Sequence, residues 1–263
     1  MVRVYAASHT LGEMYNAAAD TWVTLFETTR ERALIDEFFY TGDRLDSIVE
    51  HSDPSAYVTH FTYDDQGRLA TACSNWNRYT TFSYDADGRL SHTYSYGLDQ
   101  GDTSMRTYVD YTWDGNRLMR AELERTAHND ANDVSKHETH LYTWNGDNVA
   151  TVDCYSLDRI SGQRDTTNYT FEFTSAPNPF YGFPHWMSLG DGGGIIWNFN
   201  GIDGICRNIP AHITEGMSDY TFDVTTSGDR TTSVTIHHLS DDPNANPRMR
   251  ITAESTSEFE YEN

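Results

Sequence analysis

Pairs of aromatic residues two positions apart recur along the chain, and each pair precedes a glycine-containing turn and then Arg-Leu or a close variant. The copies begin at Phe38, Phe61, Phe82, Tyr111, Tyr142 and Tyr220. Residues two apart share one face of a β-strand, so each pair predicts a strand with an aromatic face. Long stretches with helical periodicity are missing, so we expect helix in less than a tenth of the chain, with one candidate turn near residues 12–20.

The turns between these strands indicate antiparallel hairpins. Asp114-Gly115 and Asn145-Gly146 suit two-residue turns that need positive φ. In the longer form, as at Asp85 to Gly88, the spacing suits a type I turn ended by a left-handed residue and a bulge. We therefore predict positive φ at Gly67, Gly88, Gly115 and Gly146.

Successive units lie 21 to 31 residues apart, enough for two strands and a return loop. The fold class that follows is all-β, an antiparallel up-and-down meander of a dozen or more strands that forms a large curled sheet or a barrel-like domain. One rim has tight turns and the other has longer, acidic loops. Residues 1–263 form a single domain in this prediction, and the Pro/Gly-rich insertion at 177–208 plugs or caps the sheet.

The amino-acid composition limits the kinds of partner that the protein can bind. The formal net charge of -22 makes nucleic acid or an anionic lipid surface an unsuitable partner. No apolar run approaches the roughly 20 residues of a membrane helix, and strand-like sequence follows Met1 directly, so we expect either a cytoplasmic protein or a mature chain from which an export leader has been removed. Charges inside strands, at Asp46 and Glu50 or at residues 120–124, oppose a lipid-facing barrel. Three cysteines without a Cys-x-x-Cys pair predict buried free thiols, with one disulfide as the alternative.

Catalytic and metal-binding patterns are missing from the sequence. His237 and His238 are adjacent and face opposite sides of a strand, and His137 and His140 also diverge, so neither pair can hold a metal together. No Gly-x-Ser-x-Gly, phosphate loop or His-Glu-x-x-His occurs. Paired carboxylates such as Asp64-Asp65 and Asp241-Asp242 are expected by chance among 40 acidic residues. We predict a protein that is not an enzyme and has no cofactor.

Ligand contacts are expected at the long-loop rim and the insertion, where adjustable loops can shape a cleft. The arginine-bearing turn rim, at Arg68, Arg89 and Arg117, offers little such surface. The carboxylates favour a cationic group or calcium over a phosphate. The predicted binding residues are Trp76, Tyr96, Asp99, Asp102, Asp130, Asp133, His185 and Trp186.

The unit Tyr84, Asp85, Gly88, Arg89 and Leu90 resembles the YD repeats of Rhs-type bacterial surface and toxin-shell proteins. The whole chain, from about residue 34, is similar to a family of secreted Bacteroidetes lipoproteins of unknown function with a porin-like fold. Residues 178–182, Asn-Pro-Phe-Tyr-Gly, and the terminal aromatic strand at 259–261 carry that resemblance. It implies export behind a lipoprotein leader, lipid anchoring, a barrel-like sheet in the periplasm or at the cell surface, and no known activity. The single lysine, the acidic excess and the missing leader depart from the family.

Two functions remain open from the sequence. The first is a non-enzymatic cell-envelope binding protein for a glycan, peptide or lipid. The alternative is a structural or interaction module, a shell or spacer with no small ligand, whose edge strand pairs with another chain. A glycoside-active enzyme using paired carboxylates is a remote third possibility.

Overall fold

Sixteen antiparallel strands close into one barrel in the computed structural model, which describes residues 1–51, 56–99, 102–126, 134–187, 202–242, 244 and 247–262. Each strand pairs with its neighbours in sequence, and the first pairs with the last. The strands are β1 (Val2–Asn16), β2 (Thr21–Thr41), β3 (Arg44–Glu50), β4 (Tyr57–Tyr63), β5 (Leu69–Ser74), β6 (Arg78–Tyr84), β7 (Leu90–Asp99), β8 (Asp102–Asp114), β9 (Arg117–Thr126), β10 (Val134–Asn145), β11 (Asn148–Asp158), β12 (Arg164–Pro177), β13 (Asn208–Glu215), β14 (Ser218–Ser227), β15 (Arg230–Asp242) and β16 (Met249–Tyr261).

Helix is confined, among the described residues, to a 3-10 turn at Pro184–Met187 and the single helical turn α1 at Ile202–Ile205. The predicted all-β meander with little helix is confirmed. The predicted helical turn near residues 12–20 is wrong. Instead β1 and β2 form a long hairpin there, whose turn is closed by Asn16 Oδ1 accepting hydrogen bonds from the amides of Ala18 and Ala19.

The tight turns have the predicted backbone conformation, with positive φ at all four glycines. The φ values are 78° at Gly67, 79° at Gly88, 54° at Gly115 and 63° at Gly146. The aspartate of the longer form closes its turn through its own side chain. Asp85 Oδ1 accepts from the amides of Asp87 and Arg89, and Oδ2 accepts from Arg89 Nε at 2.7 Å. The pKa of Asp85 is lowered, chiefly by the hydrogen bond from the Arg89 side chain. These contacts explain why Asp, Gly and Arg recur together.

A bulge follows each of these turns and sets the inward-facing pattern of the next strand. Tyr63 opposes Leu69 but Thr62 opposes Thr71, so Ala70 has no partner in the ladder. The extra residue lets Leu69 and Ala72, three positions apart, both point into the barrel and be buried. Register shifts at the same place follow the turns of β2–β3, β6–β7, β8–β9, β10–β11 and β14–β15.

Successive hairpins are joined by a repeated hydrogen bond at this rim. The closing aromatic of one hairpin donates to the backbone carbonyl of the leucine in the hairpin before it. The bonds are Tyr63 Oη to Leu45 at 2.8 Å, Tyr84 Oη to Leu69 at 2.7 Å, Trp113 Nε1 to Leu90 at 2.6 Å and Trp144 Nε1 to Leu118 at 2.8 Å. Tyr and Trp suit this position because each combines an apolar body with one donor.

A ring of buried aromatic side chains, here the aromatic belt, lines the inside of the barrel near the turn rim. It comprises Phe38, Phe61, Phe82, Tyr111, Tyr142, Phe171, Phe222 and Phe259. The described part of the insertion, here the plug (residues 178–187 and 202–207), lies within the belt. The ring of Phe180 lies between those of Phe38 and Phe259, with centroids 6.4 and 6.3 Å away, and Tyr111 Oη donates to the Met187 carbonyl at 3.0 Å.

The plug enters the barrel at the turn rim, whereas we expected it near the long-loop rim. It joins β12 to β13 at the turn rim, since those strands meet at the same end as the Asp-Gly hairpins. The expectation that His185 and its neighbours lie near the long-loop rim is therefore wrong. Toward the loop rim, the side chains that point into the barrel are polar instead of aromatic. Examples are Glu50, Thr59, Ser95 and Glu138, each at a position that alternates with outward-facing ones along its strand.

Candidate functional site

A cavity of about 140 Å³, here the lumen pocket, lies inside the barrel above the plug. Strands β3 to β6 supply its walls and His185 of the plug contributes to its lining. The residues that line it are Glu50, Tyr57, Thr59, Ala72, Ser74, Arg78, Thr80 and His185. The imidazole of His185 packs edge-on against Phe61 and Phe82 of the belt, with centroids 5.1 and 6.5 Å away. The pocket therefore has an aromatic base and a polar wall.

Two carboxyl groups stand side by side at the edge of this wall, and of the two only Glu50 lines the pocket. Asp36 on β2 directly opposes Glu50 on β3, and both point into the barrel with Phe38 and Ile48. Asp36 is only 5% exposed, and desolvation together with the Glu50 charge raises its pKa to about 7. The Glu50 side chain is open to the lumen, yet enclosure by the barrel wall raises its pKa as well. A carboxyl pair of this kind favours a proton or a cation.

An aromatic pair stands beside the pocket at the loop rim. Trp76, in the turn between β5 and β6, is 53% exposed and stacks on Tyr57 with ring centroids 4.4 Å apart. Asn75 fixes this turn, since its Oδ1 accepts from the amide of Val58 at 3.0 Å. Asn77 completes it in the left-handed region at φ 58°. The predicted residues Trp76 and His185 thus lie near one cavity, at its mouth and in its lining.

A second recess of about 260 Å³ involves β10 to β12 and contains Lys136, Glu138, His140 and Cys154. His140 Nδ1 lies 3.6 Å from Cys154 Sγ, and His140 Nε2 lies 3.4 Å from Glu138 Oε2. Glu138 also pairs with Lys136, and hydrogen bonds from His140 and Lys136 lower its pKa to about 2. Burial and nearby carboxylates raise the pKa of Cys154 to about 12, so the thiol stays neutral and is a poor nucleophile.

Tyr96, by contrast, faces away from the lumen. Its ring lies between Tyr79 and Tyr94 on the outer wall, with both centroids 5.3 Å away, and Tyr94 stacks in turn on Tyr108 at 4.7 Å. Since neighbouring tyrosines cover the ring faces, this row leaves little aromatic face for a ligand. The structure therefore does not bring Tyr96 together with Trp76 and His185.

The remaining predicted residues are only partly described. Asp99 and Asp102 pair at the adjoining ends of β7 and β8, which places their backbone at the loop rim. Asp130 and Asp133 lie outside the described residues, and Trp186 belongs to the 3-10 turn of the plug. Their proposed contacts remain predictions.

The sequence analysis did not select Asp36 or Tyr57 for the site. A usable signal exists in the alternation of the strands, because Asp36 is two residues before the core position Phe38 and Tyr57 is four before Phe61. Glu50 was noticed as a charge inside a strand, but it faces the lumen, whereas Arg120 and Glu122 do lie on the exposed wall. The carboxylates first considered as catalytic pairs have structural partners, since Asp64 closes its turn and Asp241 binds Arg248.

The histidine pairs diverge as predicted. His237 bonds to Asp223 on the outside while His238 stacks on Tyr220, and His137 pairs with Glu124 while His140 faces the lumen. Within the described ranges, no group of three or more His, Cys, Asp or Glu side chains could hold a metal ion. Nor does any described helix have the length and apolar character to cross a bilayer. The three cysteines are free thiols.

Fold and site together define a closed antiparallel barrel with an internal plug and a polar lumen. No family model matches the chain, and no curated protein matches it. Two solved structures are similar. A porin-like protein from Bacteroides vulgatus ATCC 8482 has 11% identity and a TM-score of 0.46 over 78% of this chain and 94% of its own. The TcdB2-TccC3-TEV structure has 10% identity and a TM-score of 0.16 over 91% of this chain and 20% of its own. At such scores neither likeness extends to function, so the barrel assignment rests on the strands themselves.

Proposed function

We propose that this protein is a non-enzymatic cell-envelope binding protein that holds a small ligand in the lumen pocket. The observation that carries the proposal is the pocket itself, a polar cavity above a plug, with the Tyr57–Trp76 pair beside it. Binding sites combine an enclosed shape, aromatic surface and a few convergent polar groups. Glu50, Arg78 and the hydroxyls of the wall provide the polar groups here. A sugar-sized or dipeptide-sized molecule fits this surface better than an acyl chain.

The outer wall supports a barrel that is not embedded in lipid. Arg120, Asp223 and Glu254 point outward from strand interiors and are exposed, and the half-buried Glu122 also points outward. An arginine facing lipid costs about 2 to 4 kcal/mol at the bilayer midplane, and an acidic side chain costs less. The envelope location and a lipid anchor follow from the family resemblance alone.

Edge pairing, the basis of the alternative interaction module, has one available edge in the described sheet. β2 is paired with β1 along most of its length, but with β3 only over Asp36–Thr41, so residues 21–34 have no described strand on that side. The enzyme alternative is weaker. Asp36 and Glu50 stand side by side on one wall, whereas the carboxyls of glycosidases flank the scissile bond.

Ligand-observed NMR with a fragment panel tests the proposal. The panel contains neutral disaccharides, dipeptides, small amines and small carboxylates. At least one class should bind and shift the Trp76 indole signal, and Trp76→Ala should weaken that binding at least fivefold. Tyr181→Ala is the matched control, because Tyr181 is equally exposed but lies on the plug near the turn rim. Absence of binding by every class, or equal loss in both variants, would overturn the proposal.

A further inference from the structure

We propose that the lumen pocket is selective for an organic cation, whose ammonium group binds Glu50 in the lining and the adjacent Asp36 just outside it, and whose carbon frame lies against Tyr57. This inference rests on the proposed function, and it names the class of ligand. It joins two independent features, the Asp36 carboxyl group, which has no partner among the described residues, and the aromatic pair that begins at Tyr57, opposite Glu50.

The first feature is the isolation of Asp36. Its side chain is 5% exposed, yet in the described part of the chain its carboxyl makes no hydrogen bond and no ion pair. The strand on one side presents Val4 and the strand on the other presents Glu50. Carboxylates that are buried to this degree are normally paired or hydrogen-bonded. Without a partner, Asp36 holds a proton more readily than an ordinary aspartate does, and a cation beside it would take the place of that proton.

The other groups around the pocket restrict what that cation is. Tyr57 directly opposes Glu50, and the faces of Tyr and Trp rings attract ammonium groups. A calcium ion would need six to eight oxygen ligands, whereas the pocket lining supplies one carboxylate, Glu50, and four hydroxyl side chains. An organic ammonium needs only the carboxylates and an aromatic surface.

Arg78 and His185 determine which chemical groups the other end of the ligand can carry. Arg78 lies on β6, three strands from Glu50, which is about 14 Å along the wall at the usual strand spacing. A second cationic group would meet the guanidinium there, so a monoamine fits better than a diamine. His185, which belongs to the plug, faces Phe61 and Phe82 of the aromatic belt and adds its own ring near the Tyr57–Trp76 pair.

Binding should depend on pH, because the ammonium replaces the proton that Asp36 otherwise holds. The pKa of Asp36 is about 7, so the carboxyl is mostly protonated at pH 5 and mostly ionised at pH 8. If the amine binds only the ionised form, its affinity should rise by up to roughly 90-fold between these pH values. Glu50, whose pKa is also raised, adds to the rise in the same direction.

The experiment compares benzylamine with benzyl alcohol, which has the same frame and no charge, by calorimetric titration at pH 5 and pH 8. Benzylamine should bind at least tenfold more tightly than the alcohol at pH 8, and its affinity should fall at pH 5. Asp36→Asn should weaken benzylamine binding at least tenfold and reduce the pH dependence. Asp229→Asn, in an exposed turn, should leave both unchanged.

Glu50→Gln provides a second variant with the same expected direction, should Asp36→Asn fail to fold. Equal affinity for the amine and the alcohol, or unchanged benzylamine binding in both variants, would overturn this inference. Sugars or carboxylates that bind in the lumen without any preference for amines would do the same and leave the proposed function standing. If no fragment of any class binds, the proposed function fails and the inference fails with it.

Discussion

Replacing Asp36 with asparagine should make the protein more stable than the wild type at alkaline pH. Asp36 is only 5% exposed, has no partner in the described structure and lies beside Glu50, so the folded protein disfavours its ionised form. Because the pKa of Asp36 is raised in the folded state, its protonation supports folding at low pH, and that support is lost as the pH rises through about 7. Asparagine cannot ionise, so the variant should lack this loss.

The magnitude follows from the pKa. The pKa of Asp36 is about 7 in the folded protein against 3.8 for an ordinary aspartate. At about 1.36 kcal/mol per pKa unit, full ionisation lowers the free energy of unfolding by about 4 kcal/mol. About 2.5 kcal/mol of this loss falls between pH 5 and pH 8. A buried amide without partners costs about 1 to 3 kcal/mol at every pH, so the variant should lie within about 1.5 kcal/mol of the wild type at pH 5 and be about 1 to 3 kcal/mol more stable at pH 8.

Urea unfolding followed by tryptophan fluorescence at both pH values measures this difference. Comparing variant with wild type at each pH cancels the contributions of the carboxyl groups that do not interact with Asp36. Asp229→Asn serves as the control and should give the same small difference at both pH values, since that side chain is exposed in a turn. A difference between Asp36→Asn and wild type that stays constant from pH 5 to pH 8 would show that Asp36 ionises like an ordinary aspartate, and the reasoning would be refuted.

Three further substitutions test the turn rim. Gly88→Val should lower the free energy of unfolding by about 1 to 2 kcal/mol, because φ is 79° and no atom crowds the site, while Gly88→Asn should cost less; equal effects would contradict the backbone explanation. Tyr84→Phe should cost about 1 kcal/mol by leaving the Leu69 carbonyl without its donor, and no change in the urea midpoint would argue against that bond. Asp85→Asn should destabilise at neutral pH, with the difference disappearing in acid as the pH falls through the lowered pKa of Asp85; a difference that persists below that range would exclude the charge as its cause.

Much of the fold could be predicted from the sequence because its signals are local. An aromatic pair such as Phe82 and Tyr84, a turn aspartate and Gly88 all act within one hairpin, and each has its own backbone or hydrogen-bonding requirement. Repetition of that unit implies neighbouring antiparallel strands and an aromatic inner face. The all-β meander followed from these local rules, and so did the positive φ values.

Closure of the barrel and formation of the binding site depend on contacts between residues that are far apart in the sequence. Pairing of β1 with β16 joins residues more than 230 positions apart, and nothing local in Val2–Asn16 distinguishes a barrel strand from a free edge. The end at which the insertion enters follows from the order of the strands, which is why His185 was assigned to the wrong rim. The alternation of side chains gives each strand two faces but does not show which face points into the lumen. The carboxyl pair of Asp36 and Glu50 became visible only once the sheet had curled and enclosed both groups, because desolvation by distant strands, and not any neighbour in sequence, changes their chemistry.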